Sequence, residues 1–144
     1  MAFRGLLDSA PSTFKVTKAS LAEFPALNGS INPPHTHPRA SELLFVVKGT
    51  LEVGLVDTTN KLYNQALQTG DMFIFPKGLL HYQYNADPMA AATAISAFGS
   101  ASAGTVSVPT AVFATGIDDG ILANAFKTDA ETIQKIKAGL ATNA

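Results

Sequence analysis

Between residues 43 and 98 short apolar runs alternate with turn residues. Leu43-Leu-Phe-Val-Val47 is a continuous apolar run of strand length, ended by Lys48 and Gly49. Thr50 to Val56 follows with partial alternation, and Asp57-Thr-Thr-Asn60 closes it with residues whose side chains bond their own backbone. Lys61 to Gln68 reads as a further strand, turned by Gly70-Asp71 into Met72-Phe-Ile-Phe75. Pro76-Lys77-Gly78 is another turn, because proline presets φ and glycine accepts positive φ. His81 to Tyr84 and Ala90 to Phe98 complete the series. Strands this short and evenly spaced predict an all-β barrel or sandwich rather than an α/β fold.

The pattern changes after residue 117. Asp118 to Phe126 predicts a short helix. Thr128-Asp-Ala-Glu131 predicts a capping box opening a second helix, with Ile133, Ile136 and Leu140 on one stripe and Gly139 near its end. A helix of about a dozen residues is marginal alone in water, so the stripe is expected to dock on the barrel or on a neighbouring subunit. No repeat or second domain interrupts the chain. Residues 1–144 are expected to form one domain, with the barrel over about 14–113 and the helices over about 118–140.

Composition sharpens this. Hydrophobic residues make up 47% of the chain and charged residues 15%, a balance that predicts surface buried against partner subunits. The formal net charge is −1, with no basic stretch, which argues against nucleic acid as a partner. No run approaches the roughly 20 apolar residues of a membrane span. There is no cysteine, so no disulfide is predicted. The opening Met1-Ala-Phe-Arg-Gly lacks the charged-then-apolar pattern of a signal peptide, which fits an intracellular or a mature, processed protein.

The candidate chemistry is concentrated in two segments holding all three histidines. His35 and His37 are two apart, so on an extended segment both rings project to one side. Glu42 follows across Pro38, which interrupts regular pairing and leaves Glu42 free to reach that side. His81 comes just after the Pro76-Lys77-Gly78 turn. Three imidazoles and one carboxylate suit a divalent first-row metal. Around an octahedral ion they leave two positions for water or substrate. Phe73, Phe75, Leu44 and Met72 are assigned to the core, and Tyr82 and Tyr84 either to the outer surface or to the barrel mouth.

These residues belong to a longer pattern: Gly29-x5-His35-x-His37-x4-Glu42-x6-Gly49, then Gly70-x5-Pro76-x-Gly78-x2-His81-x3-Asn85. It resembles the two germin boxes of the cupin superfamily at every defined position. Asn32-Pro-Pro-His-Thr-His-Pro-Arg-Ala, Lys61-Leu-Tyr, Phe75-Pro-Lys-Gly-Leu, Gly104-Thr-Val-Ser-Val-Pro109 and Ile136-Lys-Ala-Gly139 are similar to plant germin-like proteins. The resemblance implies a jelly-roll β-barrel with a manganese ion at its centre. It also implies a protein secreted to the apoplast and cell wall, and a homohexamer built as a trimer of dimers. The ligand types alone say only first-row divalent metal, with iron and others allowed.

Two departures accompany the resemblance. Phe24-Pro-Ala-Leu-Asn-Gly29 runs straight into Ser30-Ile-Asn-Pro-Pro-His35, where family members carry about one more strand. The N-terminal cysteine pair of plant germins is also absent. Asn28-Gly29-Ser30 forms a glycosylation sequon at this junction and is read as coincidental. Asn32 matches a position that hydrogen-bonds substrate in oxalate-oxidising germins, against the plainer reading of a turn residue before Pro33. The leading expectation is a manganese-dependent superoxide dismutase. The alternatives are an oxalate oxidase producing hydrogen peroxide, or a non-catalytic wall protein binding a small carboxylate such as auxin.

Overall fold

The computed structural model describes residues 18–26 and 29–141. The strands are β1 Lys18–Phe24, β2 Ser30–Thr36, β3 Glu42–Lys48, β4 Thr50–Val56, β5 Leu62–Gln68, β6 Met72–Phe75, β7 Leu80–Asn85, β8 Ala92–Phe98 and β9 Val106–Ser107. Three helices follow: α1 Val108–Phe113, α2 Asp119–Phe126 and α3 Ala130–Ala141. One sheet has the order β1-β8-β3-β6 and the other β5-β4-β7-β2-β9. Apart from the β4–β5 hairpin, successive strands fall in opposite sheets, and the pairs are antiparallel. That exchange between facing sheets is the jelly roll, as expected.

The strands expected over residues 43–98 are all present, with ends moved by a residue or two. β1 and β9 are not legible as strands, because neither carries a clean period-two pattern, whereas β2 matches the extended segment expected around His35 and His37. β1 lies along β8 through seven register pairs, from Lys18↔Phe98 to Phe24↔Ala92. The chain then reaches β2 in the opposite sheet within a few residues. Asn85, the last residue of the second box, secures this crossing: its Nδ2 donates to the carbonyls of Phe24 at 3.2 Å and Ala90 at 2.8 Å. Gly29 has φ +86°, and a Cβ there would meet the Tyr84 hydroxyl at 2.7 Å. The junction therefore needs glycine for its backbone and for its closeness to Tyr84. Asn28, with its sequon, lies outside the described residues.

Between the sheets Phe24, Leu44, Val46, Leu51, Val53, Leu67, Phe75, Ala92 and Ala94 form one apolar cluster, with Phe73 packed against it. Each large side chain here contributes about 1.5–3 kcal/mol by leaving water. Met72, assigned to the core from sequence, is instead 60% exposed. It starts β6 and faces out beside Phe45, its register partner. Tyr82 and Tyr84 also face outward, since His81, Gln83 and Asn85 are the buried alternation of β7. Tyr82 lies over its register partner Gly54, where a Cβ would overlap the ring.

The C-terminal helices form as expected, with one correction at a cap. Asp118 caps α2 by accepting from the Gly120 and Ile121 amides. For α3 the cap is Asp129, not Thr128: its carboxylate accepts from the Thr132 amide at 2.8 Å and the Thr132 hydroxyl at 3.1 Å. Thr128 is spent on closing α2, donating its amide to the Ala123 carbonyl at 2.9 Å after Lys127 turns left-handed. Of the expected stripe, Ile133 is fully buried against Leu122 and Ala123, whereas Ile136 stays 40% exposed.

Candidate metal centre

β2 brings its histidine inward by an irregularity. Asn32 pairs with Gln83 and His35 with His81, so three steps along β2 match two along β7. Pro33 and Pro34 fill the extra step, where neither has an amide to pair. Without the bulge, Asn32 and His35 would face opposite sides; with it, both meet the inward side chains of β7. His37 lies just past the end of β2, held through its carbonyl by the Gly78 amide at 3.0 Å. Glu42 opens β3, so its inward side chain precedes Leu44 and Val46 on the same face.

His35, His37, Glu42 and His81 converge, all buried, with one ligand atom from each lying within 4.8 Å of the others. That spread suits atoms sharing an ion at roughly 2.0–2.6 Å. The ring centroids are 4.2–5.2 Å apart. Phe75 stacks on His81 at 4.3 Å and Phe98 meets His37 edge-on at 4.9 Å, fixing two rings from behind.

Tautomers follow from the partners. His35 Nδ1 donates to the Pro33 carbonyl at 2.8 Å, His37 Nδ1 to Gly104 at 2.6 Å and His81 Nδ1 to Leu79 at 2.8 Å. A carbonyl can only accept, so each Nδ1 carries a proton; Nε2 then turns inward as a lone pair where the ring is neutral and as a second N–H donor where the ring is protonated. Backbone carbonyls in this role are the usual outer partners of metal-binding histidines. His35 Nε2 is buried with no hydrogen-bond partner. His37 Nε2 and His81 Nε2 lie 3.0 and 3.2 Å from Glu42 Oε2. Lone pairs on nitrogen and oxygen at such distances need a cation between them, either a proton or a metal. The donor set fits a divalent metal.

The charges agree. Burial, and then the neighbouring His81, push His35 down to about 4, so its ring is neutral near pH 7. Burial alone would raise Glu42, but hydrogen bonds from His37, His81 and Ser96 outweigh it and hold the carboxyl at about 2. Burial likewise opposes protonation of His37, and the Glu42 and Gly104 hydrogen bonds reverse the sign and raise it.

Two further buried residues were not anticipated from sequence. Ser96 Oγ donates to Glu42 Oε1 at 2.5 Å. Gln83 accepts the Asn32 amide at 2.7 Å on its own Oε1, and its Nε2 stands 3.5 Å from Glu42 Oε1. Asn32 is thus joined to the cluster through Gln83. Period-two spacing from His81 could have flagged Gln83; Ser96 is the one hydroxyl facing inward beside Ala92 and Ala94 on β8.

A family model described as Cupin matches residues 11–134. The chain is 59% identical to a rice (Oryza sativa subsp. japonica) protein named Germin-like protein 9-3, over 90% of this chain and 66% of that one. It is 51% identical to rice Germin-like protein 9-1, over 88% of this chain and 58% of that one. The chain therefore spans about two thirds or less of the length of these curated relatives. Among solved structures, a recombinant oxalate oxidase in complex with glycolate superposes with a TM-score of 0.78 at 28% identity, covering 96% of this chain and 86% of that one. With the box residues gathered inside a jelly roll, the chain belongs to the cupin family, among its germin-like members.

Proposed function

We propose that this chain is a manganese-dependent oxidoreductase that dismutates superoxide, with His35, His37, Glu42 and His81 holding the ion. The observation that carries the reading is the set of three imidazoles whose Nδ1 protons are spent on backbone carbonyls, leaving three inward Nε2 lone pairs beside one carboxylate. When bound, a manganese ion supplies one-electron chemistry between its +2 and +3 states, taking one superoxide to dioxygen and another, with two protons, to hydrogen peroxide. The residues fix the ion in a dry interior, and the single carboxylate offsets part of its charge. Beside His37 a cleft of about 320 Å³ opens between Lys18 and Arg39, with no acidic residue among the described residues that line it. That cationic rim suits a small anion.

Oxalate oxidation is the second reading, supported by the likeness to the oxalate oxidase bound to glycolate. Asn32 is the candidate substrate-bonding residue in that reaction. One of the two N–H groups on its Nδ2 is given to Gln83, leaving a single donor for a substrate that must also chelate the ion, and this ranks superoxide first. The family resemblance further supports a secreted wall protein. It also supports a hexamer, for which the exposed row Leu21, Ile95, Phe45 and Met72 across the outer face of one sheet offers contact area. Purified protein is expected to carry about one manganese per chain and to remove superoxide in proportion to it. Metal-dependent hydrogen peroxide production from oxalate without superoxide removal would reverse the ranking. Stoichiometric metal in the His35/His37/His81 triple alanine variant would remove the site altogether.

A further inference from the structure

We propose that Ser96 is a positioning residue for the carboxylate ligand: it holds Glu42 Oε1 aside so that Oε2 is the oxygen turned to the His37 and His81 imidazoles. The inference rests on the metal reading above.

Glu42 begins β3, and its side chain has three rotatable bonds, so the strand fixes where the side chain starts but not how its carboxylate is turned. Among the described residues, hydrogen-bond donors within reach of Oε1 are Ser96 and Gln83. Gln83 at 3.5 Å is at the limit of a hydrogen bond, and its other amide atom is already occupied by Asn32. Ser96 at 2.5 Å is in the range of a charge-assisted O–H···O⁻ bond. An ionised carboxylate offers only acceptors, so the hydroxyl proton must point at Oε1.

The placement follows from the sheet. Ser96 pairs with Leu44, and Glu42 with Phe98, so Ser96 stands one diagonal step from Glu42 on the inward face. Its inward neighbours on β8 are Ala92, Ala94 and Phe98, none of which can hydrogen-bond through its side chain. Ser96 is 5% exposed and Glu42 3%, so water has little access to replace the hydroxyl. The other oxygen is treated differently: Oε2 has His37 and His81 Nε2 as its neighbours. The two oxygens of one carboxylate are thereby divided between a protein donor and the metal position.

The test is Mn(II) binding to the purified full chain, read both as affinity and as the electron paramagnetic resonance spectrum of the bound ion. Ser96→Thr keeps the hydroxyl, while Ser96→Val has nearly the same shape without it, so the pair separates hydrogen bonding from packing. Ser96→Ala and Ser96→Val should each lose about 10–100-fold in Mn(II) affinity, the usual cost of an outer partner. Both should also change the zero-field splitting, because the carboxylate is free to turn. Ser96→Thr should stay close to wild type in both readouts. Wild-type affinity and spectrum in Ser96→Ala, or a Thr variant as impaired as the Val variant, would overturn the assignment of Ser96 while leaving the metal site standing. Failure of the wild-type chain to bind Mn(II) would overturn the metal reading and this inference with it.

Discussion

Along β3, Glu42, Leu44 and Val46 point between the sheets in succession, and along β8 so do Ala92, Ala94, Ser96 and Phe98. The same strands thus run from an apolar end of the interior, built on Leu51, Val53 and Leu67, to a polar end holding His35, His37, Glu42, His81, Gln83 and Ser96. At the apolar end burial is favourable without further arrangement. At the polar end each buried group costs free energy unless it finds a partner, and the ring Nδ1 protons, the Ser96 hydroxyl and the Asn32 amide all do. Among the described residues His35 Nε2 is the exception. One end supplies stability, and the other presents groups that could hold a cation.

That division is most directly broken by His81→Ala. It should lower metal affinity by more than about 100-fold, beyond the usual cost of an outer partner, while the metal-free chain keeps its β-sheet circular dichroism. Elemental analysis after dialysis against chelator reads the first quantity. Collapse of the fold along with the metal would mean that the two ends are not separable.

Leu51→Ala is the converse. Leu51 has no exposed surface, and truncating such a side chain costs about 2–5 kcal/mol. Denaturant unfolding of the metal-free protein should show that loss, and the surviving folded fraction should bind Mn(II) as wild type does. A weakened site in still-folded protein would place the two ends in closer communication than their separate contacts suggest.

Acid sharpens the comparison. His35 titrates at about 4 in the fold against 6.5 ordinarily, so the fold favours its neutral ring. The stability it contributes is full above 6.5 and is lost as pH falls from there to about 4, by about 3 kcal/mol at the limit. His37 is raised, so its contribution is already complete below 6.5 and does not change in that window. Glu42, held at about 2, adds its own loss only as pH falls below about 4.5. Unfolding of the metal-free chain between pH 6.5 and 4 should therefore follow His35, and His35→Gln should flatten that slope. An unchanged slope in the variant would assign the acid sensitivity elsewhere.

The smallest effect lies outside both ends. Asp129→Ala removes the α3 cap and should cost about 1 kcal/mol, read as a small drop in thermal midpoint with Mn(II) affinity unchanged. Thr128→Ala should do less, because Thr128 contributes its backbone amide rather than a cap.

Much of this molecule was legible as text. The turns at Gly49, Asp57–Asn60, Gly70 and Pro76–Gly78 follow from local backbone chemistry, and they space the strands as observed. The spacing of His35, His37, Glu42 and His81 marked them as a candidate ligand set, because ligand types and intervals are properties of the chain itself, and the fold brings the four together. Tertiary structure alone decided the rest. β1 is a strand because β8 is there to pair with it, and Met72 is exposed because β6 begins on the outward face. The cap moved to Asp129 because closing α2 had already used the Thr128 amide. Ser96 lies 54 residues from Glu42, and a hydrogen bond over that interval leaves no periodic trace in sequence. Its existence depends on two strands being brought side by side in one register, which is a property of the sheet and not of either strand.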